Sequence, residues 1–386
     1  MWPTVFEIPF FNLPIRGYGL MLMIGFLGGT WWAAQRAARV KADPDLVINL
    51  GFVALIASVI GARVFYVLHY WDAQFAGRGL WAIINITAGG MEFYGGFIGA
   101  FIAVLGYLAI KKAPFRLYLD IITPSLMFGM GVTRIGCFLN GCCWGAVCSP
   151  EIPWAVRFPY ASPAAYRQWE DRVVTYPAEL ITVYFPGNAS LLSRDDIYAS
   201  PEQRSRPEQA YRKAVTALEQ ARKQQADAKT IDRLRKKVQA AQKAQAEYAS
   251  LARQEWQYAL EPSELQAVAG QARTHTVHPV QLYASINGLL LAILLSTVFY
   301  RRKHHGVVVG LFFLLYPIMR FIEEIIRSDN PHDVIGLTIS QFVSVTIFVG
   351  GVIYLIAIYR LPANSVPAPV PVPAGRDDKR DKSGKR

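Results

Sequence analysis

The sequence predicts an all-α integral membrane protein with about seven transmembrane helices and an extracytoplasmic helical-hairpin insert. Three observations carry this expectation: an apolar composition, charge confined to two stretches, and seven apolar segments of spanning length. With the 30 Gly counted in place of the 19 Tyr, about 56% of the 386 residues are apolar, against roughly 45–50% in soluble domains. Residues 149–277 hold 33 of the 68 Asp, Glu, Lys and Arg, and residues 364–386 hold 9 more. The other 234 positions carry only 26, or 11% charged, which suits chain embedded in lipid.

Crossing about 30 Å of hydrocarbon takes about 20 helical residues, because a helix satisfies every backbone group internally. Seven segments qualify: 18–37, 46–70, 93–110, 117–139, 280–300, 306–325 and 339–359. The short alternating strands of a membrane barrel are absent from the pattern. No cleavable leader is expected, since Glu7 is the first charge and no basic stretch precedes the first apolar run.

Orientation follows from Lys and Arg in the connections. One side receives Arg36, Arg39, Lys41, Lys111, Lys112, Arg116, Arg301, Arg302, Lys303 and Arg360, with six more in the tail. The short connections opposite carry Arg16, Arg78 and Arg327. This predicts a multi-pass protein of the cytoplasmic membrane, amino terminus outside and carboxyl terminus inside. The net charge of +12 is dispersed along the chain rather than gathered on one face, so membrane lipid is the expected partner and nucleic acid is not.

The chain divides into spans one to four at 1–148, an extracytoplasmic insert at 149–277, spans five to seven at 278–361, and a disordered cytoplasmic tail at 362–386. Within the insert, Ile231, Leu234, Val238 and Ala241 begin a short seam at spacings of 3, 4 and 3. A helical hairpin over 207–258 is the economical shape for a segment that must leave the membrane and return.

Ionisable groups inside spans mark function by default, because each is costly in hydrocarbon. Arg63, Arg134, Arg320, Glu323 and Glu324 fall in the outer parts of their spans, and Tyr18, Glu92, Tyr94 and His278 fall at outer helix entrances. They are expected to converge where a lipid headgroup sits. An arginine fork stays charged and grips phosphate bidentately. Arg320 and Glu324 share a helical face at i,i+4, so the carboxylate can orient the guanidinium; the bland alternative is an internal ion pair that only locks helices. Gly89-Gly90-Met91-Glu92-Phe93-Tyr94-Gly95-Gly96 offers either an anion-binding helix start or glycine-based helix packing.

The run Gly131-Val132-Thr133-Arg134-Ile135-Gly136-Cys137-Phe138-Leu139-Asn140-Gly141-Cys142-Cys143-Trp144-Gly145 resembles the signature of the prolipoprotein diacylglyceryl transferases. Supporting matches follow in order: Tyr18-Gly19-Leu20, Gly61-Ala62-Arg63, the Gly-Gly-Met segment, His278-Pro279-Val280-Gln281-Leu282-Tyr283, Tyr316 with Arg320 and Glu324, and Ser340-Gln341. The likeness covers about 1–160 and 275–360.

That resemblance implies a transferase that moves the diacylglyceryl group of phosphatidylglycerol to the lipobox cysteine in the signal peptide of a prolipoprotein, the first step of bacterial lipoprotein maturation. Arg134 and Arg320 would hold the phosphate. Tyr18, Arg63, Gly95, Gly96, Asn140, Gly145, Tyr316 and Glu324 would bind substrate, with no metal and no cofactor. Where the family pattern has His-Gly-Gly, this chain has Tyr94-Gly95-Gly96, and a phenol of pKa near 10 is a poor base at neutral pH. Glu92, His278 or the positive potential of the arginines are the alternatives for activating the thiol, and they stay open. Cys137 and Cys142 replace the Asn and Glu often seen in the signature. An oxidising location favours disulfides among Cys137, Cys142, Cys143 and Cys148 over zinc or simple packing thiols. Two other classes, a lipid or anion transporter and a membrane thiol-redox protein, find less support: no two-fold repeat of spans and no C-x-x-C is visible.

Overall fold

The computed structural model describes residues 4–8, 13–76, 79–86, 89–184, 188–193, 197–198, 201–223, 230–242, 261–327 and 336–361. The tail 362–386, Arg78 and the hairpin's second arm beyond 242 lie outside them. The chain forms two compact units, one of Thr4–Cys137 with the residues from Val280 onward, the other of Phe138–Pro279.

In chain order the elements are β1 (Thr4–Ile8), β2 (Leu13–Arg16), α1 (Gly17–Arg39), α2 (Pro44–His69), α3 (Leu80–Ile84), α4 (Phe93–Ile110) and α5 (Phe115–Asn140). There follow α6 (Pro163–Glu170), β3 (Ile181–Tyr184), β4 (Asn188–Leu191), α7 (Pro201–Lys223), a helical stretch α8 at 230–242, and α9 (Pro262–Gln271). The last three are α10 (Val280–Arg301), α11 (Val307–Ile326) and α12 (Ile339–Arg360). Helices therefore cover all seven apolar segments. Five of them, α2, α4, α5, α10 and α12, are long and apolar enough to cross a membrane. Outside that set, α11 carries Arg320, Glu323 and Glu324, and α1 carries Trp31, Trp32, Gln35 and Arg36.

Helix starts follow their sequences. Asp43 accepts hydrogen bonds from the amides of Asp45 at 2.9 Å and Leu46 at 3.3 Å, with Pro44 in the first turn of α2. Thr338 and Gln341 form a reciprocal capping box at α12. The start of α11 is capped from another helix: Asp120 of α5 accepts from Gly306 N at 2.8 Å and Val309 N at 3.1 Å, and pairs with Arg302 Nε at 2.8 Å. Gly306 needs a φ of +99° there, a region that disfavours a side chain.

The helices approach closely through glycines. A Cβ at Gly25 would lie 2.9 Å from the Gly129 carbonyl oxygen, which sets α1 against α5. A Cβ at Gly99 would lie 2.8 Å from Ala57 O, and one at Gly95 would collide with Phe65, which sets α4 against α2. The core of this unit is a single cluster from α1, α2, α4, α5, α10 and α11, including Leu50, Leu108, Ile121, Met127 and Leu295.

Arg36, read from the sequence as a connection charge, is instead only 1% exposed. Its guanidinium donates to Ile121 O at 2.7 Å, Ser125 Oγ at 3.1 Å and Ser296 Oγ at 3.2 Å, and lies over the Trp32 ring. Arg302 is likewise drawn in by Asp120. Local carbonyls and one carboxylate outcompete solvent for these two, so the exposed positive excess on that side is smaller than expected.

The 138–279 unit is more than a hairpin. Tyr160, Tyr176, Leu180, Leu191, Leu192, Ile197, Leu265 and Ala269 form its core. The Tyr160 hydroxyl lies 2.9 Å from the carbonyls of both Leu180 and Leu192, sharing its single proton between them. Burial pushes the Tyr176 phenol up to about 12. The helical fold also carries two short antiparallel pairs, β1–β2 and β3–β4, the latter registered from Ile181 opposite Leu191 to Tyr184 opposite Asn188. The sequence hid them because strands of four or five residues carry too little alternation to read.

Candidate active site

Three helices present i, i+3, i+7 stripes to one cavity. From α5 come Met127, Met130 and Arg134; from α10 come Ala284, Asn287 and Leu291; from α11 come Tyr316, Met319 and Glu323. Such a stripe is the face a helix turns toward one neighbour. Close approach of α5 and α10 is possible because a Cβ at Gly288 would stand only 3.1 Å from Gly131 Cα. The cavity has about 20 Å³ of room as it stands, enough for about one water molecule. Its floor is methionine and leucine; its polar atoms belong to Arg134, Asn287, Tyr316 and Glu323.

The electrostatics centre on arginine. Tyr316 stands within electrostatic reach of Arg134, Arg320, Glu323 and Tyr94. Glu323 feels Arg134, Arg320 and Arg327. The structure thus gathers Arg134, Arg320, Tyr316 and Tyr94 as the sequence predicted, and adds Glu323 and Asn287. Asn287 Nδ2 donates to Glu323 Oε1 at 3.1 Å. Glu323 was legible as an intramembrane charge but not as a site residue. The spacing Tyr316, Arg320, Glu323 at i, i+4, i+7 is the signal that finds it. Nothing in the sequence singled out Asn287.

Arg320 pairs with Glu324 Oε2 at 2.5 Å and donates to Ser340 Oγ at 3.1 Å. Glu324 also accepts from Thr338 Oγ1 at 3.0 Å and faces Arg327 at 3.9 Å. Glu324 is 3% exposed and lines no part of the cavity. Its place is behind Arg320, which it orients, as the i,i+4 spacing implied.

Arg63 departs from its expected role. Nε donates to Ile83 O at 2.7 Å, Nη1 to Gly89 O and Gly90 O at 2.8 and 2.9 Å, and Nη2 to Ala82 O at 2.7 Å. Four of its five N–H groups hold α3 and the Gly89–Gly90 segment after it, which leaves too little of the fork to grip a phosphate. Gly95 and Gly96 are buried against α2, and Gly96 N donates within the helix to Glu92 O at 3.2 Å. They serve packing rather than an anion. Glu92 meets His69 Nδ1 at 2.6 Å, on the partly exposed end of α2. Tyr18 packs its backbone on Gly136, 3.1 Å from where a Cβ would stand.

In the other unit, Gly145 N donates to His278 O at 3.0 Å and His278 N to Ala146 O at 3.1 Å. The two motif residues meet through main chain, which leaves the imidazole outside the pairing. Asn140 ends α5, and Gly141 turns the chain at φ +75°, where a Cβ would press Phe158 and Ser162 at 3.1 Å. The Sγ atoms of Cys137, Cys142 and Cys143 lie within 4.8 Å of one another, and Cys148 is a free thiol. Burial pushes the Cys148 thiol up, which argues against a thiolate there; its main chain is pinned to Thr276 at 2.8 and 2.9 Å.

Fold and site define a helical membrane protein with a cavity between three helices that Arg134 lines. A model of the prolipoprotein diacylglyceryl transferase family matches residues 3–357, and the chain belongs to that family. Relatives named phosphatidylglycerol–prolipoprotein diacylglyceryl transferase are similar over shorter stretches. One from Rhodopirellula baltica is 38% identical over 39% of this chain and 31% of its own length. One from Photobacterium profundum is 39% identical over 39% of this chain and 56% of its own. One from Erwinia tasmaniensis is 35% identical over 45% and 61%. The chain thus spans less than two thirds of each of these relatives.

Proposed function

We propose that this protein transfers the diacylglyceryl group of phosphatidylglycerol to the lipobox cysteine thiol of a prolipoprotein. The observation that carries the reading is Arg134 lining the same cavity as Tyr316 and Glu323, with Arg320 alongside. A phosphodiester entering there meets two guanidinium groups in a low-dielectric surround, where charge–charge interactions are strong.

The reaction is displacement at the glyceryl carbon. Sulfur forms the new bond to carbon, the carbon–oxygen bond to phosphate breaks, and glycerol phosphate departs with the electron pair. Arg134 and Arg320 stabilise the charge that grows on the leaving phosphate. Tyr316 and Tyr94 donate hydrogen bonds to substrate oxygens, while Tyr18 shapes the surround. Two membrane-anchored substrates meet at high effective concentration, which supplies part of the rate.

Adding α1 and α11 to the five strongly apolar helices supports seven membrane crossings, and the Lys and Arg bias of the connections supports an amino terminus outside and a carboxyl terminus in the cytoplasm. On α11 Glu323 turns to the cavity, while Arg320 and Glu324 are paired with each other.

The test uses purified protein in phosphatidylglycerol bilayers with a lipobox peptide, read by mass spectrometry. Thioether product is expected with the cysteine peptide and none with its Cys→Ser counterpart or in phosphatidylcholine bilayers. Absence of product with the cysteine peptide contradicts the reading.

A further inference from the structure

Tyr94 leaves this site without the histidine of the family pattern, and a proton must still leave the incoming thiol. Every carboxylate near the arginines can be asked whether it is placed to take it. Glu324 is committed: Thr338 Oγ1 occupies one oxygen at 3.0 Å and Arg320 the other at 2.5 Å. Glu92 is held by His69 at 2.6 Å and does not line the cavity. Glu323 differs on both counts. It lines the cavity, and its hydrogen bond from Asn287 engages only Oε1.

We propose that Glu323 is the proton acceptor for the substrate thiol, held in position by Asn287. This rests on the transferase reading above. Arg134 and Glu323 line one cavity, so a thiol placed for attack beside a phosphate held by Arg134 has a carboxylate oxygen within the same small volume. Asn287 fixes the carboxylate rotamer through Oε1 and leaves Oε2 to face the substrate. Arg134, Arg320 and Arg327 offset part of the cost of burying the carboxylate's negative charge. When a phosphodiester arrives it takes up guanidinium donors, and the carboxylate is left to receive a proton.

The step balances. The S–H proton passes to Glu323 Oε2 as sulfur bonds to the glyceryl carbon, and the carbon–oxygen bond to phosphate breaks with its electron pair going to the leaving oxygen. The departing phosphate monoester then takes the proton from Glu323, which restores the carboxylate and releases singly protonated glycerol phosphate. No metal, oxidant or further reactant is required.

The experiment compares wild type, Glu323→Gln and Glu323→Asp on two lipobox peptides, one with cysteine and one with selenocysteine, in phosphatidylglycerol bilayers. A selenol is already ionised at neutral pH and needs no base. Glu323→Gln should lose about a hundredfold or more with the cysteine peptide, yet stay within about tenfold of wild type with selenocysteine. Its cysteine rate should climb as pH rises toward about 8.5, where solvent ionises the thiol. Should Glu323→Gln fail to accumulate, Glu323→Asp keeps the charge, shortens the reach, and must lower the cysteine-to-selenocysteine rate ratio at least about tenfold. Equal losses on both peptides, or full cysteine activity in Glu323→Gln, overturn the proposal while wild-type turnover leaves the transferase reading standing. No turnover by wild type on either peptide removes that reading, and the proposal with it.

Discussion

Asn287 of α10 donates to Glu323 of α11 across 3.1 Å, and this bond joins two helices at the wall of the cavity that Arg134 lines. A carboxylate 8% exposed needs that partner. Asn287→Leu keeps the side-chain volume and removes the donor, so it should cost about 1–3 kcal/mol of stability. Thermal unfolding in detergent reads the loss; an unchanged midpoint would mean solvent replaces the amide.

Arg320 and Glu324 form a buried pair, so removing either partner alone strands a charge. Arg320→Leu and Glu324→Leu should each destabilise by about 3–5 kcal/mol, and the double variant by less than their sum. Chemical denaturation of the four proteins of this cycle supplies the coupling, and strict additivity would contradict the pairing.

Arg63 holds α3 and the Gly89–Gly90 segment through two carbonyls each and does not touch the cavity. Arg63→Leu should expose residues 82–90 to protease and lower stability by about 2 kcal/mol or more, while phosphatidylglycerol titrates the surviving folded protein with unchanged affinity. A selective loss of lipid affinity would restore Arg63 to the site.

Gly95 lies where any Cβ meets Phe65 and the Gly61 carbonyl. Gly95→Ala should force α2 and α4 apart at a cost of about 1–3 kcal/mol. If its unfolding midpoint matches wild type, the helices are not as close as described.

His305 Nδ1 accepts from the Arg302 guanidinium at 3.2 Å, and burial, then Arg302 and Arg116, push its pKa down to about 4 from 6.5. The unfolded chain binds this proton first. The contribution is therefore fully present above pH 6.5 and is lost as pH falls toward 4. Solvent screening limits it to about 1 kcal/mol. His305→Gln should flatten the stability profile across that window, and an unchanged acid slope would show that other groups set it.

The membrane helices were legible because twenty-residue apolar runs admit few other structures, and the charges of α11 stood out because hydrocarbon makes charge rare. Roles were harder to read. Arg63 and Arg134 look alike in sequence, yet one faces a loop rich in carbonyls and the other a cavity. That difference depends on where α3 and α10 lie, which no local pattern encodes. Gly95 and Gly96 offered two readings, and only the approach of α2 decided for packing. The 138–279 unit was underread, since its core joins residues as far apart as Tyr160 and Leu265.

The most direct test of the account is phosphatidylglycerol-dependent thioether formation by wild type and Arg134→Gln, with lipid affinity measured on the same preparations. The account predicts weaker lipid binding and a rate loss of about a hundredfold or more for Arg134→Gln. Wild-type rate and affinity in that variant would contradict it.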